Sequence, residues 1–421
     1  MEIFLPYGKK HIGLKLPEKG YVGTFQPTTL PPHASETELI ERALDAPIAS
    51  FPLEQKVTPA MGVVIITSDN TRPCPNSVLL PPVLNRLNAG GVPDENITVV
   101  IALGLHRAMS DSELKDSVGQ EIFNRVNVVN HDINKVVRVG STRLGTPVEV
   151  FQPVEKADFR ICVGNVEFHY FAGFSGGVKA LIPGVASPLT INRNHSHMVE
   201  HAASAGSLQN NPVRQDLEEA AAMVGVDFIL NVIVDEDHKV IKAAAGNSKQ
   251  AHRLLCEHLE NTGIVDVPQV LDLAIVSPGG APKDINLYQA QKALDNCARA
   301  VRSGGVIVLA AECSEGYGNE TFKQWMTSGK SPNDLLSDLR QKFILGGHKA
   351  AAIGKIALRH KILLASALTD DGLVGIKSYP NVESAVKAGF ALLGGEPLYG
   401  IFPYGASTLP KVKTSNTGRL E

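Results

Sequence analysis

The sequence predicts an α/β protein of two domains, each with a largely parallel sheet flanked by helices, with the active site in the cleft between them. Three observations predict it. The chain has 421 residues, more than one hydrophobic core usually serves. Short β-rich runs alternate with segments of helical period along its whole length. Several runs (GVVIIT, LAIVS, GVIVLA) are apolar at almost every position, which suits strands covered on both faces, as parallel sheets require.

The strand candidates, in order, are Gly62–Thr67, Thr98–Leu103, Phe159–Val163, Phe228–Val234, Leu273–Ser277, Gly305–Ala310 and Lys361–Ala365. Helical patterns lie between them, for example SPLTINRNHSHMVEHAAS and NPVRQDLEEAAAMV. This alternation is the signature of a doubly wound architecture. The stretch ENTGIVDVPQ separates a helix-like segment from a new strand. It sets the domains at 1–262 and 268–394. The Gly- and Pro-rich end of the chain, 395–421, is expected to return to the N-terminal domain. No internal repeat or low-complexity tract is found.

Composition excludes several classes. Apolar residues make up 43 % and charged residues 20 %, proportions of a folded globular chain. The net charge is −3, and no stretch concentrates Lys and Arg as a nucleic-acid binder would. The five cysteines include no CxxC pair, so a disulfide scaffold or zinc ribbon is not expected and a reducing compartment fits. The N-terminus carries Lys and His where a signal peptide needs an apolar segment. No apolar run approaches the roughly 20 residues of a membrane span. The expectation is a cytoplasmic protein with no nucleic-acid or membrane partner.

Ligands of open parallel sheets sit beyond the carboxyl ends of the strands, so the residues after each strand matter most. GVVIIT is followed by SDNTRP (Asp69, Asn70, Thr71, Arg72), and TVVIALG by LHR (His106). RICVG is followed by NVEFHYFAGFSGGVK (His169, Lys179), and LAIVS by PGGAPKDINLYQAQK (Asp284, Tyr288, Gln289, Lys292). His106 and His169 are candidate acid–base groups, since imidazole takes or gives a proton near pH 7. Inverting a stereocentre calls for one such group on each face of the carbon. The glycines of FAGFSGG allow a tight loop of N–H groups that could cradle a phosphate. Lys179 after it reads either as a phosphate contact or as a covalent lysine. NRNHSHMVEH offers His195 as a lone metal ligand, or His197, Glu200 and His201 as an HxxEH zinc pattern on a helix. Gln289 and Lys292 share a helical face and could hold a carboxylate. Arg72 suits the same task.

Together SDNTRP, GLHR, HYFAGFSGGVK, NHS and NLYQAQK resemble the lactate racemase family, in order and at matching separations over nearly the whole chain. The resemblance implies a nickel-dependent 2-hydroxyacid racemase or epimerase. Its cofactor would be the Ni(II)-pyridinium-3,5-bisthiocarboxylic acid mononucleotide, a nickel-pincer nucleotide made by separate biosynthesis proteins. Lys179 would hold it covalently, His195 would complete the nickel coordination, and Asp69, Asn70, Thr71 and Arg72 would contact it. His106 and His169 would be the acid–base pair, and Gln289 and Lys292 would bind substrate. The implied reaction is reversible hydride transfer through a 2-keto acid.

Two departures matter. Asn70 stands where the family has histidine. His348 and Lys349, in FILGGHKAAAIGKI, stand where it has a tryptophan; the only tryptophan here is Trp325. A basic pair in place of an apolar wall points to a substrate more polar than lactate, such as a dicarboxylate or sugar acid. The competing readings are a zinc hydrolase on the HxxEH at 197–201, a Schiff-base enzyme on Lys179, and a non-catalytic nickel-cofactor-binding homologue.

Overall fold

The computed structural model describes residues 1–28, 34–235, 237–341, 343–368, 370 and 372–413. The chain divides into two compact units, one of Thr29–Glu260 and one of Met1–Thr28 with Asn261–Glu421. Each is an α/β unit around one six-stranded sheet.

In the first unit the strands lie in the order Val240–Gly246, Phe228–Val234, Phe159–Asn165, Val63–Ser68, Ile97–Ala102, Asn127–Asn130. All neighbours are parallel except the edge strand Val240–Gly246, which runs antiparallel to Phe228–Val234. The all-apolar runs are central strands: Val63 to Thr67 and Phe228 to Ile233 are buried without interruption. One face packs Ile65, Val99, Ile161 and Leu230 against Ile40, Leu44, Leu80, Val83 and Leu87, from helices Glu36–Asp45 and Asn76–Ala89. The first of these starts at a Ser35/Glu38 capping box, which satisfies two backbone donors that a helix start leaves over.

Chain order and sheet order do not run together in this unit. The next two strands, Ile97–Ala102 and Asn127–Asn130, extend to one side of Val63–Ser68 and the later three to the other. The reversal falls between Val63–Ser68 and Phe159–Asn165, where a doubly wound sheet opens a crevice beyond its strand ends.

In the second unit the order is Ile376–Tyr379, Lys361–Ala365, Val301–Ala310, Leu271–Val276, Tyr399–Phe402, Tyr21–Thr24, parallel throughout. A hairpin of Glu2–Tyr7 and Lys10–Lys15 buries Leu5, Tyr7 and Leu14 against Leu273, Ile275 and Val306. All seven strands expected from the sequence are present, within a few residues at each end.

The domain division differs from the expected one at both ends of the chain. Residues 1–28 belong with the C-terminal half, and the final segment does not return to the N-terminal half. Tyr399–Phe402 pairs in register with Leu273–Val276 and, across a register shift after Tyr399, with Tyr21–Thr24. Leu409–Val412 pairs with Ile264–Val267. The cause is non-local: two four-residue strands from opposite ends of the chain complete one sheet, and neither is long enough to show a period. Residues 414–421 of that expected segment lie outside the described residues.

A buried carboxylate ties the local frame of the first unit together. Asp216, on helix Pro212–Val224, accepts hydrogen bonds from Thr142 (2.5 Å), Thr146 (2.8 Å) and Asn194 (2.8 Å). Removing it strands three buried donors, each of which costs free energy without a partner. The Asp216→Ala variant is therefore expected to lose about 3 kcal/mol or more in urea unfolding. A loss under about 1 kcal/mol would show that the three donors find other partners.

Candidate active site

The loop after Val63–Ser68 is closed at its base by Asn76, which accepts from the Thr67 hydroxyl at 2.6 Å and donates to the Ser68 carbonyl at 2.9 Å. Above it Asp69 is buried, 5 % exposed. Its Oδ1 accepts from the Thr71 N–H (3.3 Å) and hydroxyl (2.7 Å), a turn that a short acidic side chain forms readily. Its Oδ2 lies 2.6 Å from His106 Nδ1. Facing a carboxylate, Nδ1 carries the proton, which leaves Nε2 as the basic nitrogen. Burial pushes the Asp69 carboxyl up; the His106 bond and charge, with Thr71 and Arg72, outweigh it and hold the pKa below its ordinary value. His106 sits in the turn after Ile97–Ala102, and its own N–H donates to the Leu103 carbonyl at 2.8 Å. Asn70 and Thr71 are exposed and Arg72 is half-buried.

On the other side of the sheet reversal, Phe168–His169 pairs antiparallel with Gly173–Phe174. His169 Nδ1 accepts the Ala172 N–H at 3.2 Å. A neutral ring then carries its proton on Nε2, 3.3 Å from Lys179 Nζ, where it can donate to an amine but not to an ammonium. The Phe171 ring bridges two imidazoles, standing edge-on to His169 (centroids 4.5 Å) and to His195 (4.9 Å). Lys179, His169, Phe171 and His195 thus form one continuous cluster. His195 is buried near the end of helix Pro188–Ser196, which starts at a Ser187 cap followed by Pro188. Its neighbour Asn194 is bonded to Asp216 and to the Val213 carbonyl, so the NHS motif couples an anchor to a presented imidazole.

The FAGFSGG glycines are required by crowding. Gly173, Gly176 and Gly177 have φ of +78°, +70° and +61°, the region that favours glycine. A Cβ on Gly173 would lie 2.0 Å from the Ser207 carbonyl oxygen, and one on Gly177 2.9 Å from the His252 ring. The phosphate-cradle reading of this loop meets an obstacle. The Ser175 N–H donates to the Glu167 carbonyl (2.8 Å), the Gly177 N–H to Asn231 Oδ1 (2.6 Å) and the Lys179 N–H to the Gly176 carbonyl (3.2 Å). These donors are committed inside the protein.

The HxxEH segment is not on a regular α-helix. The α-helix ends at Ser196, His197–Val199 is a 3-10 turn, and Glu200 is extended. His197 and His201 therefore do not share a helical face, which corrects the zinc reading. Among the described residues no group of three or more His, Cys, Asp or Glu is placed to hold a metal ion.

In the second unit, Gln289 and Lys292 lie half-buried on the first turns of helix Leu287–Cys297, capped by Asn286 onto the Gln289 N–H at 3.0 Å. Asp284 is structural: its Oδ2 accepts the N–H groups of Gly8 (2.7 Å) and Glu312 (3.1 Å). His348 and Lys349 are buried at the start of helix Gly347–Ala357. Burial, reinforced by the Lys349 charge, pushes the His348 imidazole down to about 3, so it is neutral. Lys349 Nζ donates to the Tyr288 carbonyl at 2.5 Å and stands 4.0 Å from the Tyr288 ring centroid, within cation–π range.

Sequence reading missed the buried polar residues behind these loops: Asn76, Asn231, Arg214 and His252. One signal was present, an asparagine inside the otherwise apolar strand FILNVIV. It also missed His131, which lines a cavity of about 620 Å³ together with Gly104, Leu105, His106 and Phe151. Burial pushes the His131 imidazole down to about 4.

Comparison with known proteins matches residues 7–206 to the lactate racemase N-terminal domain and residues 267–409 to the lactate racemase C-terminal domain. The lactate racemase of Thermoanaerobacterium thermosaccharolyticum is 31 % identical over 433 residues, covering 98 % of this chain and 99 % of that protein. The lactate racemase of Lactiplantibacillus plantarum is 32 % identical, covering 97 % and 99 %. The structure of the T. thermosaccharolyticum lactate racemase apoprotein superposes with a TM-score of 0.91 over 98 % of this chain and 100 % of that one, at 30 % identity.

The Asp69 geometry sets a pH dependence. A carboxyl whose folded pKa is depressed contributes stability above its unfolded value, near 3.9, and loses it as pH falls through the folded one. Asp69→Asn is expected to be less stable than the parent by about 1–3 kcal/mol at pH 7. In urea titrations the gap should narrow as pH falls below about 4. A gap that stays constant with pH would show that the carboxylate form is not favoured there.

Proposed function

This chain belongs to the lactate racemase family, and from that premise we propose that it racemises or epimerises a small 2-hydroxy acid at C2. The proposed route is reversible hydride transfer through a 2-keto acid. The observation that carries it is the placement of two imidazoles in segments that follow strands of one sheet. His106 has its proton fixed on Nδ1 by Asp69, and His169 has its Nδ1 filled by the Ala172 N–H.

His106 Nε2 is the basic atom that takes the proton of the substrate 2-hydroxyl as C2 gives up its hydride. Asp69 stabilises the imidazolium that forms and holds the ring's orientation. His169 returns a proton from Nε2 to oxygen when the other enantiomer or epimer forms; it does so as an imidazolium, whose Nδ1 proton displaces the Ala172 N–H, and it is left neutral. In the reverse direction the roles exchange. Gln289 and Lys292 bind the carboxylate, an amide donor and an ammonium suited to that group.

A nickel-pincer nucleotide fits the first-unit cluster on two counts. Lys179 offers an amine for covalent attachment beside His169, and buried His195 offers one imidazole across Phe171. Asp69, Asn70, Thr71 and Arg72 form the loop assigned to contact it. When bound, that group supplies the hydride acceptor and donor; the protein contributes position and proton transfer.

The substrate proposed is more polar than lactate. Lys349 places an ammonium against Tyr288, next to Gln289 on the helix that carries the substrate contacts. The relatives named above are lactate racemases, so a panel decides the point. Turnover of malate or gluconate above that of lactate supports the reading, and a strong preference for lactate contradicts it.

The hydride route has its own test. Substrate deuterated at C2 and inverted in ordinary water should keep its deuterium in the product. Complete wash-out would indicate proton abstraction from carbon instead. His106→Ala should lower kcat by about 10²–10⁴-fold, the range for a lost general acid–base group, while nickel content stays at the parent level.

A further inference from the structure

Five consecutive carbonyls of the glycine-rich loop are held from behind by groups that no motif reading assigns. Phe171 O accepts from Asn211 Nδ2 (2.8 Å), and Ala172 O from Arg214 Nε (3.1 Å). Gly173 O accepts from the Gly206 N–H (3.0 Å), Phe174 O from Arg214 Nη2, and Ser175 O from His252 Nε2 (2.7 Å). Asn211, Arg214 and His252 are each at most 1 % exposed.

Arg214 is the unusual member. It occupies the buried face of helix Pro212–Val224, where its neighbours Val213, Leu217 and Ala220 are apolar. Burying a guanidinium is costly unless its donors and charge are met. Its nearest carboxylate, Glu218, is 3.8 Å away and is itself gripped by Arg253 at 2.7 and 3.0 Å. Its Nε and Nη2 go instead to two loop carbonyls, Ala172 and Phe174, while Nη1 faces Glu218 without a hydrogen bond. Those residues flank Gly173, whose strand partner is His169, and the Ala172 N–H is the bond that fills His169 Nδ1. The planar fork of arginine can span two acceptors at once; an ammonium cannot.

We propose that Arg214 is a positioning residue: by holding the Ala172 and Phe174 carbonyls it fixes the loop that sets the orientation of His169 and the approach of Lys179. The functional half rests on the racemase reading above, whereas the structural half does not. Asn211 and His252 share the cradle, and a neutral His252 is implied by its burial, which drives its pKa well down. Arg214 is the one that contacts two loop positions.

The test uses Arg214→Gln, Arg214→Lys and, as control, Leu217→Ala, a fully buried neighbour on the same helix that makes none of these hydrogen bonds. In the protein without cofactor, hydrogen exchange of amides 171–177 is measured, with trinitrobenzenesulfonate labelling of Lys179 read by peptide mass. In the loaded enzyme, kcat and KM are measured per bound nickel. Arg214→Gln should speed loop exchange by about tenfold or more, the effect of losing one net hydrogen bond, and change the Lys179 labelling rate. It should lower kcat by about 10²-fold, the scale of an ångström misplacement, with KM within about threefold. Arg214→Lys should recover only part of this. Leu217→Ala should lower the melting temperature while loop exchange and kcat stay within about threefold of the parent. If Arg214→Gln matches Leu217→Ala in exchange, labelling and kcat, the proposal is overturned. Should Arg214→Gln fail to fold, Arg214→Lys is read by the same criteria. Should the parent invert no hydroxy acid, the racemase reading fails while exchange and labelling still decide the role of Arg214.

Discussion

The reversal of strand order between Val63–Ser68 and Phe159–Asn165 is the constraint from which the site follows. Two adjacent parallel strands whose neighbours were laid down in opposite directions leave their following loops without a common cover. Into that gap the chain sends the Asp69 loop from one strand and the His169–Lys179 segment from the other. His106 arrives from the next strand outward and is caught by Asp69 at 2.6 Å. The strands beneath the Asp69 loop and the His169–Lys179 segment are buried almost throughout.

Much of this was legible in the sequence. The all-apolar runs GVVIIT and FILNVIV announce two-sided burial, and they are central strands. The residues after the strand ends could be gathered without any contact information, because a parallel sheet puts all its carboxyl ends on one side. Proline and serine at 187–188 mark the start of the helix that carries His195. What stayed hidden was non-local. Tyr21–Thr24 and Tyr399–Phe402 are four residues each, glycine-interrupted, and they pair across nearly the full length of the chain. No local period can show that, so both termini were assigned to the wrong neighbours. The HxxEH helix was over-read for the opposite reason: a local spacing looked regular, but the α-helix stops at Ser196.

The buried polar residues form the other hidden layer. Arg214 sits in NPVRQDLEE, where its period matches an ordinary amphipathic helix, and nothing local distinguishes a solvated arginine from one that grips loop carbonyls. The same holds for Asp216, two residues on, whose three donors come from residues 142, 146 and 194. Polar groups of this kind must be partnered when buried, and here their partners are the backbone and neighbours of the site segments. Lys349 follows the rule in the second unit, where its ammonium is directed to the Tyr288 carbonyl and ring.

Lys179 and His195 are proposed to hold a nickel-bearing organic cofactor. Intact mass and metal content, measured on protein produced together with the cofactor-synthesis proteins of a lactate racemase, address this proposal most directly. A mass addition that maps to Lys179 with about one nickel per chain is expected, and nickel lost in His195→Ala, since that imidazole is the proposed protein ligand. An unmodified, nickel-free chain, in a preparation where a known lactate racemase is loaded, would contradict it.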